Sequence, residues 1–265
     1  MTPSSPFLVA QITDTHLFAG ESQELLGLPT AKSLNAVLNC LQKLQPQPDL
    51  LLLTGDLSQD ETVESYCRLY QSLLPLKIPV YWLPGNHDIP FLMDQVLNTA
   101  PISAEKTFQQ GGWNFVLLNS AVLGRVEGKL SSQSLNWLEQ QLQANPQRPT
   151  LLALHHPPFP IGSDWIDGIN LQNSADLFAV LDRYPQVKLV LFGHIHQEFD
   201  HWRHSVRYLG TPSTCVQFKP NSANFALDQL KPGFRLLYLY PDGNYSTQIE
   251  RVDCVHQLDF AATGY

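Results

Sequence analysis

Asp14, His16, Asp56, Asn86, His155, His194 and His196 have side chains suited to hold metal ions, and their spacing is not random. Each lies in a short polar cluster that directly follows an apolar run: Thr13-Asp14-Thr15-His16, Thr54-Gly55-Asp56, Gly85-Asn86-His87-Asp88, His155-His156 and Gly193-His194-Ile195-His196. The set comprises two carboxylates, one amide oxygen and four imidazoles. Mixed nitrogen and oxygen donors suit Zn, Mn, Fe or Co, whereas Ca and Mg favour all-oxygen shells. Seven donors exceed what one such ion takes but suit two ions that share a carboxylate. Two ions about 3.5–4 Å apart can clamp a phosphoryl group and generate hydroxide between them at neutral pH. Against two carboxylates they leave a local positive surplus, so an acidic chain can still attract a phosphate.

The elements that must position these residues alternate along the chain. Residues 7–12, 49–53, 80–83, 150–154 and 187–192 read as buried strands, and each runs straight into one of the five clusters. Between them, residues 30–44 place Leu34, Val37, Leu38 and Leu41 on a helical face that Pro46 and Pro48 terminate. Residues 60–74 read as a helix capped by Asp60, and residues 131–142 as a helix with Leu135, Leu138 and Leu142 on one side. Residues 113–118 form a further strand, and 199–218 and 234–252 short strands separated by turns. An alternating β/α chain gathers its strand ends at the carboxyl edge of a sheet, where such folds bind ligands. The glycines of Gly85-Asn86-His87-Asp88 and Gly193-His194-Ile195-His196 let backbone approach the site. No repeat, low-complexity tract or linker interrupts the chain, so residues 1–265 are expected to form one domain.

Composition narrows the function classes. A net charge of −8 argues against broad nucleic-acid binding, which needs a basic stripe. No apolar run approaches the ~18 residues that span a bilayer, and the Met1-Thr-Pro-Ser-Ser-Pro6 start has neither basic region nor apolar stretch, so a cytoplasmic chain off the membrane is expected. Cys40, Cys67, Cys215 and Cys254 are too dispersed for a disulfide framework and are expected to be buried thiols in a reducing compartment.

The order of the five clusters resembles the calcineurin-like metallophosphoesterase superfamily, and within it the bacterial class III 3′,5′-cyclic-AMP phosphodiesterases. The stretches that carry the resemblance are Gln11–Leu17, Thr54–Asp60, Trp82–Asp88, Gly193–Glu198, Thr211–Pro220 and the terminal Thr263-Gly-Tyr265. It covers essentially the whole chain. It implies an α/β fold, a four-layer αββα sandwich of two mixed sheets flanked by helices, with strands near the C-terminus completing the second sheet. It further implies that Asp14, His16, Asp56 and His196 hold one metal, that Asp56 bridges, and that Asn86, His155 and His194 complete the other. His156 is then a supporting residue. His16, Asp56, Asn86, His87 and His196 border the substrate, with His87 the catalytic residue that contacts the phosphate or protonates the leaving oxygen. Asp88 orients His87 or Asn86, or acts as a turn or cap residue.

The implied reaction is hydrolysis of 3′,5′-cyclic AMP to 5′-AMP by a hydroxide shared between two ions (Fe, Mn, Zn or Co), in a monomer or homodimer with a small-molecule substrate. The alternatives are another phosphodiester, including a nuclease on the same centre, or a non-catalytic scaffold. The first would need a nucleic-acid surface, and the second would be expected to lose ligands. Outside the clusters, the Gly162–Asp167 loop is placed to border the pocket, with Trp165 read first as a loop anchor and second as a base-stacking residue. Phe199, Trp202 and Phe218 read as core, His201, His204 and His256 as unspecialised histidines, and the Asn244-Tyr245-Ser246 sequon as a turn.

Overall fold

A computed structural model describes residues 5–254 and 256–264. Two six-stranded sheets dominate it. The first has the order β12-β11-β1-β2-β3-β4, with β1 Phe7–Ile12, β2 Leu50–Thr54, β3 Val80–Leu83, β4 Ile102–Ser103, β11 Gly233–Leu239 and β12 Tyr245–Arg251. The second has the order β9-β10-β8-β7-β6-β5, with β5 Thr107–Gln110, β6 Trp113–Leu117, β7 Thr150–Ala153, β8 Val187–Phe192, β9 Phe199–Arg203 and β10 Val206–Gly210. β1 to β4 run parallel, as do β6, β7, β8 and β10, whereas the outer strands β5, β9, β11 and β12 add antiparallel. The C-terminal strands β11 and β12 therefore complete the first sheet, beside β1. The second is completed by β9 and β10, a correction to the expected placement.

Strand periodicity explains the layers. In β2, Leu50 and Leu52 face the second sheet together with Val9, packing against its Phe115, Leu151, Ala153, Leu189 and Leu191. Leu51 and Leu53 face the other way, onto α1 (Thr30–Lys43), α2 (Val63–Leu73) and α3 (Pro90–Val96). On the far side Leu152, Val190 and Phe192 pack against α4 (Ser132–Ala144), α5 (Asp164–Asp167) and α6 (Ser174–Leu181). Strands buried on both faces read as unbroken apolar runs, which is why four consecutive leucines form a strand here. Among the described residues no helix is long and apolar enough to cross a membrane.

Most sequence-level boundaries hold within a residue or two, with local exceptions. α2 starts at Val63 and is capped by Thr62, whose hydroxyl accepts from the Ser65 amide. Asp60 instead accepts from the Ala19 amide and the Thr62 hydroxyl, tying the loop after β1 to the start of α2. Trp202 is 55% exposed on the edge strand β9 and is not core. Cys215 is buried, but Cys40, Cys67 and Cys254 are half-buried, and all four are free thiols. The helices α3 and α6 have no counterpart in the pattern reading. Tyr265 and Met1–Ser4 lie outside the described residues.

Truncating a fully buried side chain between the sheets leaves a void that the flanking strands cannot close. Leu191→Ala is expected to cost about 2–5 kcal/mol in urea unfolding. Leu123→Ala, at a position 87% exposed, is expected to stay within about 0.5 kcal/mol of the parent.

Candidate metal centre

The carboxyl ends of β1, β2 and β3 meet those of β7 and β8 at one edge of the sandwich, and the five polar clusters converge there. The loops after β1 and β2 run side by side: the Asp14 amide donates to Gly55 O, His16 to Asp56 O and Leu17 to Leu57 O, at 2.9–3.1 Å. The His194 amide donates to the Asp14 carboxylate (3.1 Å), which fastens the β8 loop to the β1 loop across the two sheets. Close approach sets the glycines. A Cβ on Gly193 would collide with Thr13 Oγ1 and press on Asp14 Oδ2, and one on Gly85 would collide with the Asp56 carboxylate and amide. Asp14, His16, Asp56, His194 and His196 all have left-handed backbone, with φ between 45° and 68°. Such strain is held only where the surrounding structure over-determines it, and it gathers at functional sites.

All seven sequence-predicted donors come together. Ligand atoms of Asp14, His16 and His196 lie within 4.8 Å of one another, as do those of Asp14, Asp56 and His155. Asn86 and His87 are half-buried at the mouth, and the other six are buried.

The tautomers reveal what the cluster requires. His155 donates its Nδ1–H to Thr54 O and His196 its Nδ1–H to Val216 O, both at 2.8 Å, and a carbonyl can only accept. His16 donates Nδ1–H to Gln59 Oε1 at 2.6 Å. Each Nε2 is therefore a lone-pair donor turned inward. His16 Nε2 and His196 Nε2 face each other at 3.2 Å, both as acceptors, and His155 Nε2 stands 3.2 Å from Asp56 Oδ2. Among the described residues Asp56 Oδ2, Asn86 Oδ1, His155 Nε2 and His194 Nε2 are buried without a hydrogen-bond partner. Orphaned polar atoms of this kind cost about 1–3 kcal/mol each. A proton can fill one gap: burial disfavours charge on His155, but the Asp56 and Asp14 carboxylates outweigh it and lift the imidazole to about 9. That proton would leave Asn86 Oδ1 and His194 Nε2 unsatisfied, whereas cations would satisfy the whole set. Burial also holds His16 down at about 3 and His194 well below its ordinary value, so both keep the neutral form that ligation needs. The residues fit two metal ions.

Asp56 lies between two of the histidines. Its Oδ2 faces both His155 Nε2 and His16 Nε2 (3.9 Å), while its Oδ1 accepts the His87 amide. The two oxygens of Asp14, in contrast, are both engaged by the His194 amide. His156 has no ring nitrogen to spare: Nε2 donates to Val126 O and Nδ1 accepts from Ser120. Ser120 Oγ also lies 3.3 Å from the amides of His155 and His156, a support that no sequence motif announced.

Asp88 is a turn residue, one of its expected roles, since its amide donates to Gly85 O and its carboxylate accepts the Gly85 amide. It accepts from the Leu57, Ser58 and Gly85 amides and the Tyr66 hydroxyl, locking the β2 loop to the β3 loop. Burial and the nearby Asp56 charge raise it to about 6. The stretch Thr211–Phe218 is likewise a brace: Ser213 donates to Asp14 O and the Thr214 amide to Thr13 O.

A cavity of about 510 Å³ opens from Asn86, His87 and His194 toward Trp165, so the Gly162–Asp167 loop does border the site. Phe218 also lines it, and its ring stacks on His196 at 4.0 Å, which places it in the site as well as in the core. His201 and His204 are exposed, and neither falls in a group able to hold a metal among the described residues.

A sandwich of two sheets with buried acidic and imidazole donors at their shared edge defines a dimetal hydrolase architecture, and comparison agrees. Residues 7–198 match the calcineurin-like phosphoesterase family, and the chain belongs to that family. A 3′,5′-cyclic-nucleotide phosphodiesterase of Nostoc sp. is 57% identical over 95% of this chain and 95% of its own. The 3′,5′-cyclic adenosine monophosphate phosphodiesterase CpdA of Escherichia coli K12 is 45% identical over 97% of this chain and 94% of its own. Among solved structures, a dimetal phosphatase from Danio rerio superposes with a TM-score of 0.72 at 17% identity, covering 98% of this chain and 100% of that one, a likeness of fold.

If Asp56 joins both ions, elemental analysis of Asp56→Ala should find both depleted, and of His155→Ala mainly one. Two full equivalents in Asp56→Ala would exclude the shared role.

Proposed function

We propose that the chain is a dinuclear metal-dependent phosphodiesterase that opens 3′,5′-cyclic AMP to 5′-AMP. The observation that carries the reading is the set of buried, partnerless ligand atoms of Asp56, Asn86, His155 and His194, of which Asn86 and His194 border the cavity. The relatives named for cyclic-nucleotide hydrolysis, similar along nearly their full length, support the choice of diester. Asp14, His16, Asp56 and His196 would hold one ion, and Asp56, Asn86, His155 and His194 the other. The mixed donor set favours Fe, Mn, Zn or Co. When bound, such ions supply Lewis-acid stabilisation of phosphoryl charge and acidify water toward a nucleophile at neutral pH.

The chain's own groups account for the remaining steps. Asn86 and His87 stand at the mouth, where a phosphodiester entering from the cavity must pass them. The His87 amide is held by Asp56 Oδ1, and its ring lies 5.2 Å from that of His16, so the side chain is aimed along the rim of the centre. From there it can protonate the departing ribose 3′-oxygen or hold a phosphoryl oxygen. His156, Asp88 and Ser120 fix the loops and take no proton in the reaction. Residues 1–265 act as one domain, a reading supported by β11 lying beside β1, since the chain beyond residue 198 completes the first sheet. Four free thiols support a cytoplasmic setting. A strong chelator should therefore abolish activity while a mild reductant leaves it intact. Loss on reduction alone would overturn the compartment assignment.

His87→Ala tests the chemistry. It should keep both metals and near-native Tm while losing about 10²–10⁴-fold in kcat on cyclic AMP. A diester with a 4-nitrophenolate leaving group should lose less, because that group departs with little protonation. Equal losses with metals intact would assign His87 to phosphate binding instead, and parallel loss of metal would make it a structural support.

A further inference from the structure

Three segments remote in sequence close the far side of the cavity. The first is the turn of α5, which presents Trp165. The second is the loop that carries Phe218 and Phe225. The third is the end of the described chain, where Thr263 and Gly264 reach the cavity wall. None of the three contributes a metal-ligand candidate.

These walls are prebuilt. Asp167 accepts from the Ile161 and Gly162 amides, closing its own loop, and Ser163 Oγ accepts from the Ser222 amide, joining the first segment to the second. The third segment is strapped down earlier: the Asp259 amide donates to Leu26 O, and the chain passes so close to Gly27 that a Cβ there would strike Gln257 O. The rings form one continuous surface. His196 stacks on Phe218, Phe218 meets Trp165 edge to face at 5.0 Å, and Trp165 meets Phe225 edge to face at 5.1 Å. An aromatic path thus leads from the metal cluster into the cavity. One polar atom lies beneath that surface. Trp165 Nε1 is buried and has no hydrogen-bond partner among the described residues.

We infer that this aromatic chamber is the nucleobase subsite and that Trp165 is the residue that distinguishes a nucleoside diester from one without a base, offering the base a ring to pack against. The inference rests on the cyclic-AMP reading of the site. A phosphate held at Asn86, His87 and His194 leaves the base of a nucleoside cyclic phosphate directed into a space whose volume falls within the range of small-ligand sites. Aromatic packing tolerates any base, so the chamber favours diesters that carry one.

The test compares substrates with and without a base on metal-loaded enzyme. Trp165→Ala should lower kcat/KM for cyclic AMP relative to bis(4-nitrophenyl) phosphate by about 10–100-fold, the scale of one base–aromatic stack, with the change carried by KM. The affinity for 5′-AMP, read by calorimetry, should fall in step. Trp165→Phe, which keeps a ring and guards against a folding defect, should lose less on cyclic AMP. Equal losses on both diesters, or an unchanged 5′-AMP affinity, would overturn the inference. If the parent enzyme cleaves the chromogenic diester but not cyclic AMP, the proposed substrate fails. The 5′-AMP titration of parent and Trp165→Phe would then still decide whether the chamber binds a purine.

Discussion

Acceptors that face acceptors are the constraint on which this structure turns. His16, His155 and His196 each give away their one imidazole proton on the outer side, to Gln59, Thr54 O and Val216 O. In the neutral form, what they turn inward can only accept, and it meets two carboxylates and an amide oxygen. Left alone, such a cluster would be pushed apart by desolvation and repulsion. It persists because every member is tied from behind, by backbone carbonyls, by Ser120, by the four donors on Asp88 and by the Thr211–Phe218 brace. The scaffold holds the donors in place, and cations are what the arrangement is built to receive.

The division of donors between the sheets gives that arrangement a mechanical side. Asp14, His16, Asp56 and Asn86 come from the first sheet, and His155, His194 and His196 from the second. The sheets touch elsewhere through apolar packing, which is strong but non-directional. Several directional links between the sheets lie close to the site. Gln11 donates to Thr54 Oγ1 and to Phe192 O and accepts from Thr211, and the buried Arg235 joins the same chain through Thr211 Oγ1 and Gly210 O. These contacts fix the sliding register of one sheet over the other where an ångström matters most.

The sequence was legible where local pattern and global need coincide. β3 and β8 can be read to the residue because apolar runs stop abruptly at Pro84 and Gly193, and the seven donors could be named because each directly follows such a run. What escaped has partners far along the chain. Asp60 looked like a cap because it precedes a helix, yet its acceptor capacity is used by Ala19, 41 residues away. Asp88 looked like an orienting group because it follows His87, yet its main donors lie about 30 residues earlier. Trp202 matched a core pattern, but its strand is the edge of the sheet and half its faces meet solvent. Ser120 and the Val216 carbonyl carry no signal, since any residue has a carbonyl and any loop can have a serine.

The left-handed backbone at Asp14, His16, Asp56, His194 and His196 also shapes how this family can change over time. Outside glycine, Asn, Asp and His are the residues enriched in that conformation, and they are also ligand types. Conformational and chemical selection therefore point to the same small alphabet. A descendant relieved of catalysis would still feel the backbone's preference, and its five positions would drift first toward Asn and Gly and only later toward apolar residues. The trace of a lost centre would be polar, written in residues that still look capable of binding.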